Sequence, residues 1–522
     1  MFFSVAWIWA PLCALTLYLH LHSLLVRKKK KKKKKQQWPP SPRGGLPILG
    51  HLHLLLRKNP HHVLCDLARK HGPIMGLRLG FVPAVVVSSP AAAELVLRTH
   101  DRVFANRPSQ QAVKFVGYGQ RGVVFSPYGP YLRSMRKLIA SSLRMSQSGA
   151  GATNTNTNTN KMEAELGLLV ESLKQAARRR EKVDLGIRIF SLTRDVICRM
   201  VFGRKSVSNL DEEGFKLVIS EALELAAKFN AADYYPSFVG SLDLQRMNRR
   251  MKRLIDIFDG LLEGVVEDHV RIRKMHQEQE QEQDFVDIML GVMESGKAVF
   301  PFDRRHVKAV ALDLMIAGTD APASAIEWGL TELIRHPQAM QKLQEELASV
   351  VGMGTDESRV KEWHLDRLEY LNCVVKETLR LHPPVPMLVP HEAMEDCVLD
   401  GFHIPRKSRV LVNAWAIGRD PDAWQDPDPL RFSPERFAGA AAEFMGGDHF
   451  RLLAFGFGRR SCPGMQLGLR MVKLGLAQLV HCFRWELPDG MQPRELDMTE
   501  HFGIGTCKAE HLMAIPVYRL LK

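Results

Sequence analysis

The residues best placed to do chemistry stand in Phe455-Gly456-Phe457-Gly458-Arg459-Arg460-Ser461-Cys462-Pro463-Gly464, with the helical run Met465 to Val480 directly after them. A single cysteine in a glycine-rich loop before a helix N-terminus can be held as a thiolate by backbone N–H groups and the positive end of the helix dipole. Such a thiolate can hold a metal. Gly456 and Gly458 permit a sharp turn and close approach to a flat ligand. Pro463 starts the helix without wasting a donor, and Arg460 is placed to neutralise an anionic group. Taken alone, a loop cysteine is more often a small buried hydrophobe, so Cys462 needs support from the rest of the chain. Zinc would need three or four nitrogen or sulfur ligands at short spacing, and no Cys-x-x-Cys occurs.

Two further constellations supply that support. The longest helical pattern runs from Asp303, an N-cap, to His336, with Pro337 as its stop, and carries Ala317-Gly318-Thr319-Asp320-Ala321-Pro322 at its middle. An acid stands among small residues there, and Pro322 leaves the Gly318 carbonyl without its helical donor. By itself the hexapeptide reads equally as a kink in a buried helix. Glu377 and Arg380 lie three apart on an amphipathic helix from Tyr370 to Leu381, which alone is an ordinary surface ion pair.

Phe455, Gly458, Arg460, Cys462 and Gly464 resemble the haem-binding signature of cytochrome P450 enzymes, Phe-x-x-Gly-x-Arg-x-Cys-x-Gly. The resemblance implies haem b, with Cys462 as axial ligand and Arg460 as partner of a haem propionate. It implies that Ala317, Gly318, Asp320 and Ala321 lie across the haem where oxygen binds, the acid relaying protons. Ala321 stands where the family carries a threonine, and a methyl group neither donates a proton nor orders water. The expectation is therefore uncoupling with release of peroxide, or help from a substrate hydroxyl or water at the Gly318 carbonyl. In a helix from Tyr128 to Leu143, Arg136 matches a propionate-binding arginine, while Leu132 occupies a tryptophan position and has no N–H. Arg133 is the other cation there, about 100° away around the helix. With Pro434-Glu435-Arg436-Phe437, the resemblance makes Glu377, Arg380 and Arg436 a buried triad supporting the haem loop.

The implied fold is mainly α with small β-sheets, one catalytic domain over 48–522 behind an N-terminal membrane anchor. Residues 1–26 contain no Asp, Glu, Lys or Arg and are long enough to span the hydrocarbon. Arg27 and Lys28 to Lys35 carry nine of the fifteen net charges, leaving +6 for the rest. Through the positive-inside rule they keep the catalytic part cytosolic, as a single-pass protein of the endoplasmic reticulum. Basicity this local, with no interleaved aromatic residues, excludes a nucleic-acid partner. The proline-rich stretch within 27–47 reads as a stiff hinge. Ile74 to Leu79 and Ala84 to Ser88 read as a hairpin, Arg409 to Ile417 as a strand, and 146–160, with four Thr-Asn pairs, as a disordered loop. Eight irregularly spaced cysteines give no disulfide framework and point to a reducing compartment.

Two other patterns fail on inspection. Gly291 to Lys297 resembles a phosphate loop without the magnesium-binding hydroxyl, and His391-Glu392 starts a zinc-protease motif that lacks its second histidine. The closest flavour of the resemblance is plant microsomal. It implies an NADPH-dependent reductase docking near Arg459, O2, membrane lipid and a hydrophobic small-molecule substrate. Substrate contacts would come from Phe104 to Phe125, the region near Phe229 to Leu244, Val310 to Ala317, Pro384 to Val389 and Ile504 to Cys507. The reading is a haem-thiolate monooxygenase. Its alternatives are a haem-thiolate isomerase or dehydratase that needs no O2, and a haem-poor, non-catalytic membrane protein.

Overall fold

The computed structural model describes residues 37–520 apart from 57–58, 143–156, 206–211, 237–238, 241–242, 244, 276–282, 297–299, 355–358, 426–427 and 440–449. The expected anchor at 1–26, the basic block and most of the Thr-Asn stretch lie outside the described residues.

A central helix, Arg304–Arg335, organises the helical layer. Asp303 caps it, its side chain accepting from the backbone N–H of Arg305 and His306, and the helix ends before Pro337. Pro322 is accommodated inside it without a break in helical assignment. The neighbouring helix Leu185–Phe202 packs along it, and the helix Met465–Cys482 packs on it from another side. One large apolar cluster joins these three with the helices Pro130–Ser142, Thr157–Arg179 and Met247–Met275. The central helix is long and apolar enough to cross a membrane, yet most of that stretch is buried in protein, as a core helix requires.

The strands Ile74–Leu79 and Val82–Val87 form the expected antiparallel hairpin, with Leu77 opposite Ala84. The second strand pairs in parallel with Arg409–Val412, which in turn pairs with His391–Glu392. This small sheet has its own apolar cluster, which includes Leu453 near the cysteine loop. A second hairpin pairs Glu500–Phe502 with Thr506–Lys508.

Several expectations need correction. The strand starting at Arg409 stops at Val412, because Asn413 caps a helical turn, Ala414–Ile417, through a bond from Ala416 N to its Oδ1 at 3.0 Å. Thr157 to Asn160 are not loop; they form the first turn of the helix Thr157–Arg179, where Thr159 bonds Glu362. Gly464, not Pro463, caps the helix after the cysteine. Gly291 lies within the helix Phe285–Glu294, which removes any phosphate loop there. The proline-rich stretch is irregular, as expected, but lies against the first strand: Gly76 N donates to Pro40 O at 2.8 Å, and a Cβ on Gly76 would meet the Trp38 ring.

Candidate active site around Cys462

The backbone N–H of Cys462 donates to Phe455 O at 2.9 Å and closes the loop. Gly458 has a φ of +71°, and a Cβ there would lie 2.6 Å from Leu97 O and 2.7 Å from Asp101 Oδ1, so no side chain fits. Asp101 also binds Arg459, whose Nε donates to the Tyr128 hydroxyl at 2.9 Å. Phe455 is half-buried against the main apolar cluster. Protein atoms surround the Cys462 thiol, so burial pushes its pKa up, while the Gly464 backbone and the Arg136 charge pull it down. Yet the residue keeps exposed surface. That exposed surface leaves the side chain open to a ligand.

Cations gather around this loop. Arg136 donates to Ser461 O at 2.7 Å. Arg460 donates to Ala105 O at 2.6 Å and Ser126 O at 2.5 Å. Arg107, only 6% exposed, donates to Val389 O at 2.5 Å and Pro390 O at 2.9 Å. The buried His391 has Nδ1 2.8 Å from Phe104 O. Burial lowers the pKa of Arg107, and the charges of Arg460 and Arg136 lower it further. Burial and then Arg136 bring Arg460 down to about 10. His391 is held well below its ordinary value by burial and by Arg107. Among the described residues no carboxylate pairs with Arg107, Arg136 or Arg460, whose hydrogen bonds go to carbonyl oxygens and Ser461. Buried positive charge without a counter-ion is costly, and two carboxylates of a bound cofactor would relieve it. The residues present therefore fit haem.

Sequence reasoning missed Arg107 and His391. Arg107 was subsumed in a stretch assigned to substrate, and His391 was weighed only as half of a zinc motif. Arg133, by contrast, is exposed on the helix that buries Leu132, and is not among the cations around the loop.

On the central helix, Ala317 has an exposed surface although its helix is core. Gly318 packs on the helix Leu185–Phe202, where a Cβ would lie 2.7 Å from Ile197 Cδ1. Thr193 Oγ1 donates to Thr319 O at 2.9 Å, tying the two helices together just before the proline. Asp320 and the half-buried Ala321 follow. Burial raises Asp320 to about 6, against the pull of Lys216. One turn before Ala317, Asp313 Oδ2 accepts from Val124 N at 3.0 Å and from Val123 N, and burial raises it too, to about 6.

Glu377 and Arg380 are fully buried and paired twice, at 2.6 and 2.7 Å, and Arg436 Nε reaches Glu377 at 3.4 Å. Arg380 also donates to Gly418 O at 2.5 Å and Pro429 O at 2.6 Å, fastening the irregular segment that leads to the cysteine loop.

The family model for cytochrome P450 matches residues 39–513. A cytochrome P450 of Panax ginseng is 44% identical over 92% of this chain and 93% of its own length. A melianol synthase of Citrus sinensis is 38% identical over 95% and 94%. A desmethyl-deoxy-podophyllotoxin synthase of Sinopodophyllum hexandrum is 38% identical over 92% and 91%. Among solved structures, a zebrafish cytochrome P450 with abiraterone superposes with a TM-score of 0.71 at 25% identity, covering 88% of this chain and all of that one. With a glycine-fastened cysteine loop, a set of arginines paired to no carboxylate among the described residues and these likenesses in hand, the chain belongs to the cytochrome P450 family, whose members are haem-thiolate proteins.

Proposed function

We propose that this protein is a membrane-anchored monooxygenase that inserts one atom of O2 into a hydrophobic small molecule, with electrons from an NADPH-dependent reductase. The observation that carries the reading is the exposed Cys462 in its glycine-fastened loop, with Arg107, Arg136 and Arg460 gathered around that loop and paired to no carboxylate among the described residues. In this reading Cys462 ligates haem iron, Arg107, Arg136, Arg460 and His391 receive the propionates, and Phe455, Gly458 and Gly464 shape the loop. A bound haem-thiolate supplies the activation of oxygen, the thiolate favouring O–O cleavage. The protein's own part is to hold the thiolate, exclude water, and keep protons available at Asp320. Glu377, Arg380 and Arg436 keep the loop in place. Residues 1–26 anchor the chain in the endoplasmic reticulum with the catalytic domain in the cytosol. The synthase names among its relatives fit a place in specialised metabolism.

The test is the carbon monoxide difference spectrum of the reduced, membrane-expressed protein beside a Cys462→Ser control. A thiolate-type Soret band lost in the control, followed by oxygenated product that requires NADPH and reductase, is the expected result. Absence of the band from folded protein would favour a haem-poor relative. Turnover of hydroperoxides without NADPH or O2 would replace the reading by the isomerase or dehydratase that Ala321 favours.

A further inference from the structure

Asp320 sits where three elements meet. The Glu500–Lys508 hairpin turns against it, so that a Cβ on Gly505 would lie 2.7 Å from its Oδ2. The hairpin is fixed to the central helix by Ser324 Oγ donating to Thr506 O at 2.8 Å, and to the helix Glu212–Ala227 by Ile504 N donating to Leu223 O at 3.2 Å. That third helix brings Lys216, whose charge works against the effect of burial on Asp320. Among the described residues the Asp320 carboxylate accepts no hydrogen bond, and Lys216 forms no ion pair with it.

The ammonium is engaged elsewhere. Lys216 Nζ lies 2.8 Å from His511 Nε2, and His511 Nδ1 lies 2.8 Å from Asp184 Oδ2. A carboxylate can only accept from a ring N–H, so Nδ1 carries the proton and Nε2 is left to accept from Lys216. Asp184 is itself fixed, capping the helix Leu185–Phe202 through Ile187 N at 2.9 Å. Of the other ionisable groups around this chain, Glu327 accepts Leu512 N at 2.9 Å, and Lys508 and the Cys507 thiol complete the set.

We propose that His511, braced by Asp184, holds the Lys216 ammonium off Asp320, and so keeps the acid beside Ala321 able to take up and release a proton. A lysine free to close on the carboxylate would lock it ionised, since a contact ion pair lowers an acid by roughly 1–3 pH units. The restraint has particular use in a chain with no hydroxyl at position 321, where the acid is left as the protonatable side chain of the Ala317–Pro322 stretch. Its functional value rests on the monooxygenase reading, but its existence does not.

The test follows the carboxylic-acid stretch of Asp320 by infrared difference spectroscopy against pH, in the full-length haem-loaded protein, with the band identified by its loss in Asp320→Asn. His511→Leu should lower the titration midpoint by about one pH unit or more, a tenfold change in protonation equilibrium. His511→Gln, whose amide oxygen can still accept from Lys216, should stay close to the parent. Lys216→Met should raise the midpoint, and the double variant should follow Lys216→Met. An unchanged midpoint in His511→Leu, or a double variant that behaves like His511→Leu, overturns the proposal. Should His511→Leu fail to fold, His511→Asn, which can keep the bond to Asp184 but is shorter on the Lys216 side, tests the same restraint, and an unchanged midpoint there is equally fatal. These midpoints need no turnover, so failure of the monooxygenase reading would show separately, in the carbon monoxide spectrum and the product assay.

Discussion

In the proposed reading Ala321 stands where a hydroxyl would assist oxygen chemistry, and burial raises its neighbour Asp320 to about 6. Ala321→Thr should therefore raise the ratio of product to NADPH consumed and lower peroxide release, with little change in the carbon monoxide spectrum. An unchanged ratio would mean that protons already arrive at full rate without the hydroxyl. Which residues were legible at this scale follows from how the site is built. Cys462, Gly458 and Arg460 sit within five residues of one another, so their spacing alone exposes them. Arg107 and His391 reach the same loop only through long-range folding, and a single sequence carries no sign of that. Leu132 looked like a missing anchor. It proves to be 1% exposed in the apolar core, while Arg107 and His391 add two basic groups beside the loop that the sequence reading had not counted.

Helices declared themselves through their ends, and strands less so. Asp303 and Pro337 marked the central helix closely, whereas the β-branched run from Arg409 concealed Asn413, which caps a helical turn and stops the strand. What no local pattern shows is the burial of Glu377 and Arg380, because three-residue spacing is the same on a surface and in a core. Glu377→Ala should strip the counter-charge from two arginines and destabilise the fold by roughly 3–5 kcal/mol, read by chemical denaturation, with loss of haem before global unfolding. A second joint is pH-sensitive. Burial alone would push Glu332 up, but the His336 ring 3.3 Å from its carboxylate and a hydrogen bond from His382 at 2.7 Å bring it down to about 2. His382 Nδ1 is buried without a partner, so the ring pairs as the neutral donor. A carboxylate lowered in the folded state contributes stability that is present above its unfolded pKa of about 4.3 and lost as pH falls toward the folded value. Glu332→Gln should thus cost most near pH 7, and its melting curve should converge on the parent's as pH approaches about 2. A constant difference across that range would mean that packing, and not charge, accounts for the loss.

At the scale of the whole molecule, the fold places an apolar margin beside the point where the anchor would enter. Leu46, Ile48 and Leu49, at the end of the proline-rich stretch, are each at least 40% exposed. Gly80 N donates to Leu49 O at 3.2 Å, which brings the turn of the first hairpin and the exposed Phe81 alongside them. Phe81 in turn meets Tyr235 edge-on at 5.8 Å, so the margin extends to the segment after the helix Glu212–Ala227. Contiguous exposed apolar surface of this kind is rare on soluble monomers and favours contact with lipid. Such a margin would give the domain a membrane contact of its own, independent of residues 1–26. Deleting residues 1–37 should leave protein that still sediments with phosphatidylcholine vesicles, weakly and insensitively to salt. Leu49→Glu with Phe81→Glu in that background should release it, because burying each charge costs more than the lost apolar contact gives. If the truncated protein ignores vesicles, or the double variant binds as before, the anchor alone holds the enzyme to the membrane. Retention abolished by salt instead would assign the contact to basic side chains.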